Sequence, residues 1–264
     1  MLTEFALYLM LGAAAGILAG LLGVGGGLII VPVLAAIFIS QSMPAESIMH
    51  LALGTSLATI VITSLSSAYS HHKKRAVDWP AVMRLTPGIL IGAWLGGVLA
   101  GHLDSRTLKP IFACFELIVA AYMLWGKPAS PQATQASFVN FSLSGSIIGG
   151  VSSLVGIGGG TLSVPWLLWH GGKIHQAIAT SAALGFPIAL AGSISYLVSG
   201  WGQSQLPEHA LGYIYLPALF SIIFSSALFA PLGAHWAHQL DTGKLRKLFA
   251  CALIILATGL LASG

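Results

Sequence analysis

Charge is scarce in this chain: of 264 residues, 11 are Lys or Arg and 7 are Asp or Glu, together 7%. A water-exposed domain carries about 25%, so an ordinary soluble fold is excluded, and the 56% hydrophobic content points to the bilayer as solvent. The net charge of +4 does not signal nucleic acid. Its cations fall in short loops between apolar runs, where they report membrane orientation. Cysteine is nearly absent. Cys114 and Cys251 both lie inside apolar segments, which excludes a disulfide framework or a cysteine metal cage. The nine histidines scatter. His235 and His238 stand at i, i+3, but no Cys, Asp or Glu shares their face, so no metal or other cofactor is expected. No Ser/His/Asp set or carboxylate pair is visible, so neither is an enzyme. The first apolar run has no basic region before it and no small-residue cleavage site, so Phe5–Leu22 is expected to be a retained helix and not a signal peptide.

What is present is one motif twice. Leu21-Leu22-Gly23-Val24-Gly25-Gly26-Gly27-Leu28-Ile29-Ile30-Val31-Pro32 returns as Leu154-Val155-Gly156-Ile157-Gly158-Gly159-Gly160-Thr161-Leu162-Ser163-Val164-Pro165. In each copy three consecutive glycines interrupt an apolar run, and a short run carrying the proline follows. A helix restarting inside a membrane exposes free N–H groups and the positive end of a dipole, a host for an anion. The Rossmann glycine fingerprint does not fit: a helix-like run precedes Gly23, Leu28 stands where the third glycine is needed, and no acidic residue follows in a βαβ context.

Apolar length places helices at Phe5–Leu22, Leu28–Ile39, His50–Ser70, Val82–Ala100 and Leu108–Trp125, then at Phe138–Val155, Thr161–Trp169, Ala177–Val198, Ile214–Trp236 and Leu245–Ala262. Leu28–Ile39 rises only ~18 Å against a ~30 Å hydrocarbon core, so it is re-entrant or a partial crossing. Residues 126–137 hold no apolar run and form the linker between a first repeat, 1–125, and a second, 138–264. Further pairings support duplication: Gly54-Thr55-Ser56 with Ala179-Thr180-Ser181, Thr86-Pro87 with Leu216-Pro217, His102-Leu103-Asp104 with Gln239-Leu240-Asp241, and Phe112-Ala113-Cys114 with Phe249-Ala250-Cys251.

Loop charge orients the repeats. His71-His72-Lys73-Lys74-Arg75 marks a cytoplasmic loop, whereas the equivalent loop 200–210 has no Lys or Arg. Lys127, Lys173 and the cluster Lys244, Arg246, Lys247 agree with an inverted pair whose termini are both non-cytoplasmic. Arg106 and Lys109 disagree, being two cations on the side that should lack them. The expected fold class is an all-α integral membrane protein of two homologous, inverted repeats with broken or re-entrant helices at the glycine motifs.

The candidate anion ligands are the backbone at Gly25, Gly26, Gly27, Gly158, Gly159 and Gly160, with Pro32 and Pro165 as helix-break markers. Without side chains the N–H groups can converge as a nest, and each following helix adds roughly half a positive charge. The alternative is close helix packing, as at Gly96-Gly97 and Gly149-Gly150. Thr55, Ser56, Thr180 and Ser181 offer hydroxyls beside the motifs, although such hydroxyls often bond back to their own helix. Thr161 has Leu28 at the equivalent place, an asymmetry that can tune selectivity. Glu116 sits near mid-bilayer, where a carboxylate must be protonated or paired, and is the candidate for proton coupling; its equivalent is Leu253. Arg84 is placed to snorkel to the headgroups, and the tryptophans mostly mark segment ends.

Duplicated Leu-x-Gly-[Val/Ile]-Gly-Gly-Gly-x-[Leu/Ile]-x-Val-Pro, each followed by [Ala/Gly]-Thr-Ser, resembles the TauE/SafE family of sulfite and sulfonate transport permeases over essentially the whole chain. The resemblance implies a multi-pass protein of the bacterial inner membrane, a secondary transporter that exports small organosulfonates or sulfur oxyanions by alternating access. The partners expected are a small anionic sulfur-containing solute, membrane lipid, protons for coupling and a second copy in a homodimer. The other reading, from the residues, is a membrane-embedded anion receptor or accessory subunit that transports nothing itself.

Overall fold

The computed structural model describes residues 2–22, 26–126, 138–236 and 242–262. Within them the chain is all-α apart from one two-residue ribbon. The helices are α1 (Leu2–Leu22), α2 (Gly27–Ser40), α3 (Ile48–Lys73), α4 (Trp79–His102), α5 (Ser105–Trp125), α6 (Phe138–Leu154), α7 (Gly160–Trp169), α8 (Ile174–Ser199), α9 (Leu216–Trp236) and α10 (Thr242–Ala262). A helix satisfies its own backbone where no water can, which is why apolar runs of this length become helices. Four of them, α3, α4, α5 and α8, are long and apolar enough to cross a bilayer. Ile214–Tyr215, expected as the start of a helix, instead forms strand β2, antiparallel to β1 (Ala210–Leu211), and α9 begins at Leu216. Gly212 between the strands has φ 55°, a conformation that favours the residue without a Cβ.

The two short glycine-led helices are the returning arms of hairpins. α2, with 14 residues, rises ~21 Å and α7, with 10, ~15 Å, both well under a ~30 Å core. The end of α2 comes back beside the beginning of α1: the Tyr8 hydroxyl donates to Gln41 Oε1 at 2.9 Å and its ring meets Phe38 edge-on at 6.5 Å. Likewise the end of α7 returns beside the beginning of α6, where Phe141 meets Trp166 edge-on at 5.1 Å. Each hairpin therefore opens and closes at one face of the bundle, the re-entrant alternative.

Around the hairpins the helices pair in matching fashion. α1 packs on α9 and α6 on α4; α3 packs on α8 and α5 on α10. Small residues let backbones touch. Gly88, Gly92 and Gly96, four apart on one face of α4, lie against the backbone of Ser142, Ser146 and Gly150, and a Cβ on any of the three would strike a carbonyl. Gly12 and Gly16 do the same for α1 against Ile222 and Ser226. Gly96, Gly97 and Gly149 are thus packing glycines. α3 and α8 are the most enclosed of the long helices and α5 the least.

A crossed pair of hydrogen bonds joins the halves. Thr55 Oγ1 on α3 accepts from the Tyr215 N–H at 2.9 Å, just before α9 begins, and Thr180 Oγ1 on α8 accepts from the Asp78 N–H at 2.9 Å, just before α4 begins. Trp79-Pro80 therefore occupies against Thr180 the place that Leu216-Pro217 occupies against Thr55. That corrects the pairing of Thr86-Pro87 with Leu216-Pro217 by seven residues. His50, which the sequence did not single out, anchors the start of α3 to the α4–α5 corner: its Nε2 lies 2.9 Å from the Leu103 carbonyl and its Nδ1 3.2 Å from Ser105 Oγ, with the ring stacked on Tyr213 at 4.6 Å.

Candidate functional site

The tips of the two hairpins meet between α3 and α8. Gly25 lies outside the described residues, so the first tip is described from Gly26. Gly26 precedes α2 with φ 76°, and Gly27 opens the helix. In the second copy the left-handed residue is Gly156, φ 65°, while Gly159 has φ −62° and needs no glycine-only conformation. The duplicated triplets thus differ in backbone shape. What keeps Gly159 small is its neighbours: a Cβ there would lie 2.9 Å from Ser163 Oγ and 3.1 Å from Ile188 Cδ1. A Cβ at Gly27 would come within 2.8 Å of the Gly156 carbonyl oxygen and 3.0 Å of Ile157 Cα, so the first tip rests directly on the backbone of the second motif.

Neither α2 nor α7 has a side-chain cap at its start. First-turn N–H groups there face whatever occupies the tips, with the dipole of each helix behind them. Gly27, Gly158 and Gly159 are buried and Gly160 half-buried, so the tips are covered in this arrangement. Pro32 and Pro165 fall within the first two turns of α2 and α7, Pro32 buried and Pro165 half-buried.

The hydroxyls sort into committed and open. Ser56 Oγ donates to the Gly156 carbonyl at 2.8 Å, so its one proton is spent stitching α3 to the second motif. Thr55 and Thr180 accept from Tyr215 and Asp78, which uses a lone pair and leaves each O–H to donate. Ser181, fully buried on α8 next to Gly159, has no hydrogen-bond partner among the described residues, and neither has the Thr161 hydroxyl beside Gly160. Ser152 and Ser153, at the end of α6, are also buried and unpartnered. The sequence reading missed these two. Their signal was two adjacent serines in an apolar helix immediately before the second motif, where the first has Ala19-Gly20. A buried unpaired hydroxyl costs ~1–3 kcal/mol; Thr161 and Ser181 stand beside the second tip, whereas Ser153 Oγ faces Gly97 and Gly192, where α6 packs on α4 and α8.

Glu116 is apart from this cluster. It lies on the buried face of α5 with Phe112, Ala113, Val119 and Ala120, has no exposed surface, and neither carboxylate oxygen has a hydrogen-bond partner among the described residues.

Residues 8–260 match the sequence profile of the family described as sulfite exporter TauE/SafE. A probable membrane transporter protein of Haemophilus influenzae is 42% identical over 97% of this chain and 98% of its own length. A second, from Methanocaldococcus jannaschii, is 30% identical over 84% of each chain, and one from Bacillus subtilis is 27% identical over 75% of this chain and 80% of its own. These relatives are transporters and not enzymes by description, in keeping with apolar spanning helices and a multi-pass place in the inner membrane. A duplicated glycine motif at the tips of two hairpins, matched along nearly the whole chain, makes this protein a membrane transporter of the sulfite exporter TauE/SafE family.

Proposed function

We propose that the protein is a secondary exporter of small sulfur-bearing anions, sulfite-like oxyanions or organosulfonates, held where the two hairpin tips meet. One observation carries the reading: two uncapped, glycine-led helix starts, from hairpins whose open ends lie at different sides of the helix pairs that surround them, converge beside unpartnered hydroxyls. Two such starts together offer roughly one unit of positive charge with no Lys or Arg at the tips. An oxyanion has several acceptor oxygens and no need for a donor partner, which matches N–H groups and the open O–H of Thr161 and Ser181. The family's description supplies the sulfur.

Movement follows from the pairing of elements. We infer two inverted repeats, 1–125 and 138–264, exchanging access as one shifts against the other; the matched pairs α1 on α9 and α6 on α4, and the crossed Thr55 and Thr180 bonds, support it. Because each repeat contributes one hairpin and holds the start of a helix in the other, a shift that opens one face closes its counterpart. Glu116 is the proton carrier in this scheme, an acid whose ionised form has no partner in the closed arrangement.

The test is flux. Purified protein in proteoliposomes should release loaded sulfite or a short alkanesulfonate faster than protein-free vesicles, saturably and with mutual competition. Saturable binding without any flux would leave an anion receptor instead.

A further inference from the structure

One cavity lies away from the hairpin tips. It holds about 680 Å³ and lies where the starts of α3 and α5 meet the ends of α2 and α10, walled by Ile39, Met43, Met49 and Leu261, with Arg106 and Lys109 at its edge. A second, shallower groove shares Pro110 with it and continues down the outer face of α5 past Ile111, Cys114, Phe115 and Ile118. Cys114 and Ile118 are exposed there.

Three observations bear on what fits. Neither Arg106 nor Lys109 has an ion pair or hydrogen bond among the described residues, although Asp104 and Glu46 stand at the same corner, so two cations border an apolar trough without a described ion-pair partner. They are also the two cations that the loop-charge bias leaves unexplained, since they occupy a side that otherwise lacks Lys and Arg. Finally, the trough has the right length. From Arg106 to Ile118 α5 rises ~18 Å, close to the ~15 Å depth of one leaflet's hydrocarbon. A small hydrophilic anion would satisfy the cations and leave the apolar trough to no purpose.

We propose that this groove binds one anionic phospholipid, its phosphate between Arg106 and Lys109 and an acyl chain along Pro110, Cys114 and Ile118. The lipid belongs to the leaflet at the Ser105 end of α5. It seats against α2, the returning arm of the first hairpin, and so contacts an element that the transport cycle moves.

Native mass spectrometry of the purified protein tests this, using phosphatidylglycerol and phosphatidylcholine with identical acyl chains. Two cations at a membrane surface should favour the anionic lipid by about 30-fold (~2 kcal/mol at 1.4 kcal/mol per decade). Arg106→Gln with Lys109→Gln should bring phosphatidylglycerol to the phosphatidylcholine level, and each single change should cost it about 5-fold. Cys114→Trp, which fills the trough at an exposed position, should weaken both lipids. Equal retention by the unaltered protein, or a preference that survives the double change, overturns the proposal. So does displacement of phosphatidylglycerol by soluble glycerol phosphate, which would make this a site for a free anion.

Discussion

The crossed hydrogen bonds give the sharpest test of how the halves hold each other. Thr55→Val and Thr180→Val keep side-chain volume and remove the oxygen that accepts from Tyr215 or Asp78. Both threonines are fully buried and the partner amides partly so. An N–H left without its acceptor costs about 1–3 kcal/mol, equivalent to roughly 5- to 150-fold faster amide exchange where that N–H is the local lock. Hydrogen–deuterium exchange read by peptide should therefore rise at residues 209–217 in Thr55→Val and at residues 76–82 in Thr180→Val, each in the half that was not altered. Thermal unfolding should fall by roughly 2–12 °C, at ~2–4 °C per kcal/mol for a chain of this size. Valine is otherwise at home in an apolar interior. If the hydroxyls only bond within their own helices, exchange should change near the substitution alone and stability should hold or rise, and the crossed arrangement would be refuted.

The remaining predictions concern the tips, coupling and topology. Gly27→Ala should abolish transport while the protein still inserts, because its Cβ meets backbone 2.8 Å away, whereas Gly26→Ala, whose Cβ would make only ordinary contacts at 3.5 Å but at φ 76°, should cost about 1–2 kcal/mol of strain and retain partial flux; the opposite order in a vesicle flux assay contradicts tip-to-tip contact. Ser181→Ala and Thr161→Val should each weaken sulfite binding by roughly 10-fold or more without lowering thermal stability, since each removes an unpartnered donor; unchanged affinity in a calorimetric titration removes both from the site. Glu116→Gln should keep anion binding and lose the response of flux to a pH gradient, because the amide keeps the shape and cannot titrate; an unaltered response excludes it as the proton carrier. Cysteines placed at Lys74 and Gln203, with Cys114 and Cys251 replaced by Ser, should be labelled from opposite sides of the membrane; labelling from one side is incompatible with inverted repeats.

Composition and run length alone determined that this is an all-α membrane protein, because a bilayer admits few ways to satisfy a backbone and the apolar runs are long enough to count. The ten helices of the described residues stood out by apolar length, and the duplicated Gly-Gly-Gly with its downstream proline located both breaks. That the short arms α2 and α7 are half-length was legible from their ~1.5 Å per residue. That they return to the face they started from was decided by tertiary contacts, Tyr8 with Gln41 and Phe141 with Trp166, which pattern cannot reveal. The hydroxyls divided the same way. Sequence found Thr55, Ser56, Thr180 and Ser181 as equivalent pairs, but only packing gave Ser56 a carbonyl, left Ser181 bare, and turned the threonines toward each other's half. The register of α4 against α9 was misread at Thr86-Pro87 because one proline dipeptide looks like another; Trp79-Pro80 is distinguished by the Thr180 hydroxyl that accepts from the Asp78 N–H just before it. A repeat in sequence dictates similar local structure. Which N–H or carbonyl each copy meets depends on the other copy: the sequence itself made the second motif the more polar, with Ser152, Ser153 and Thr161 where the first has Ala19, Gly20 and Leu28, and tertiary structure seated Gly27 against the Gly156 carbonyl.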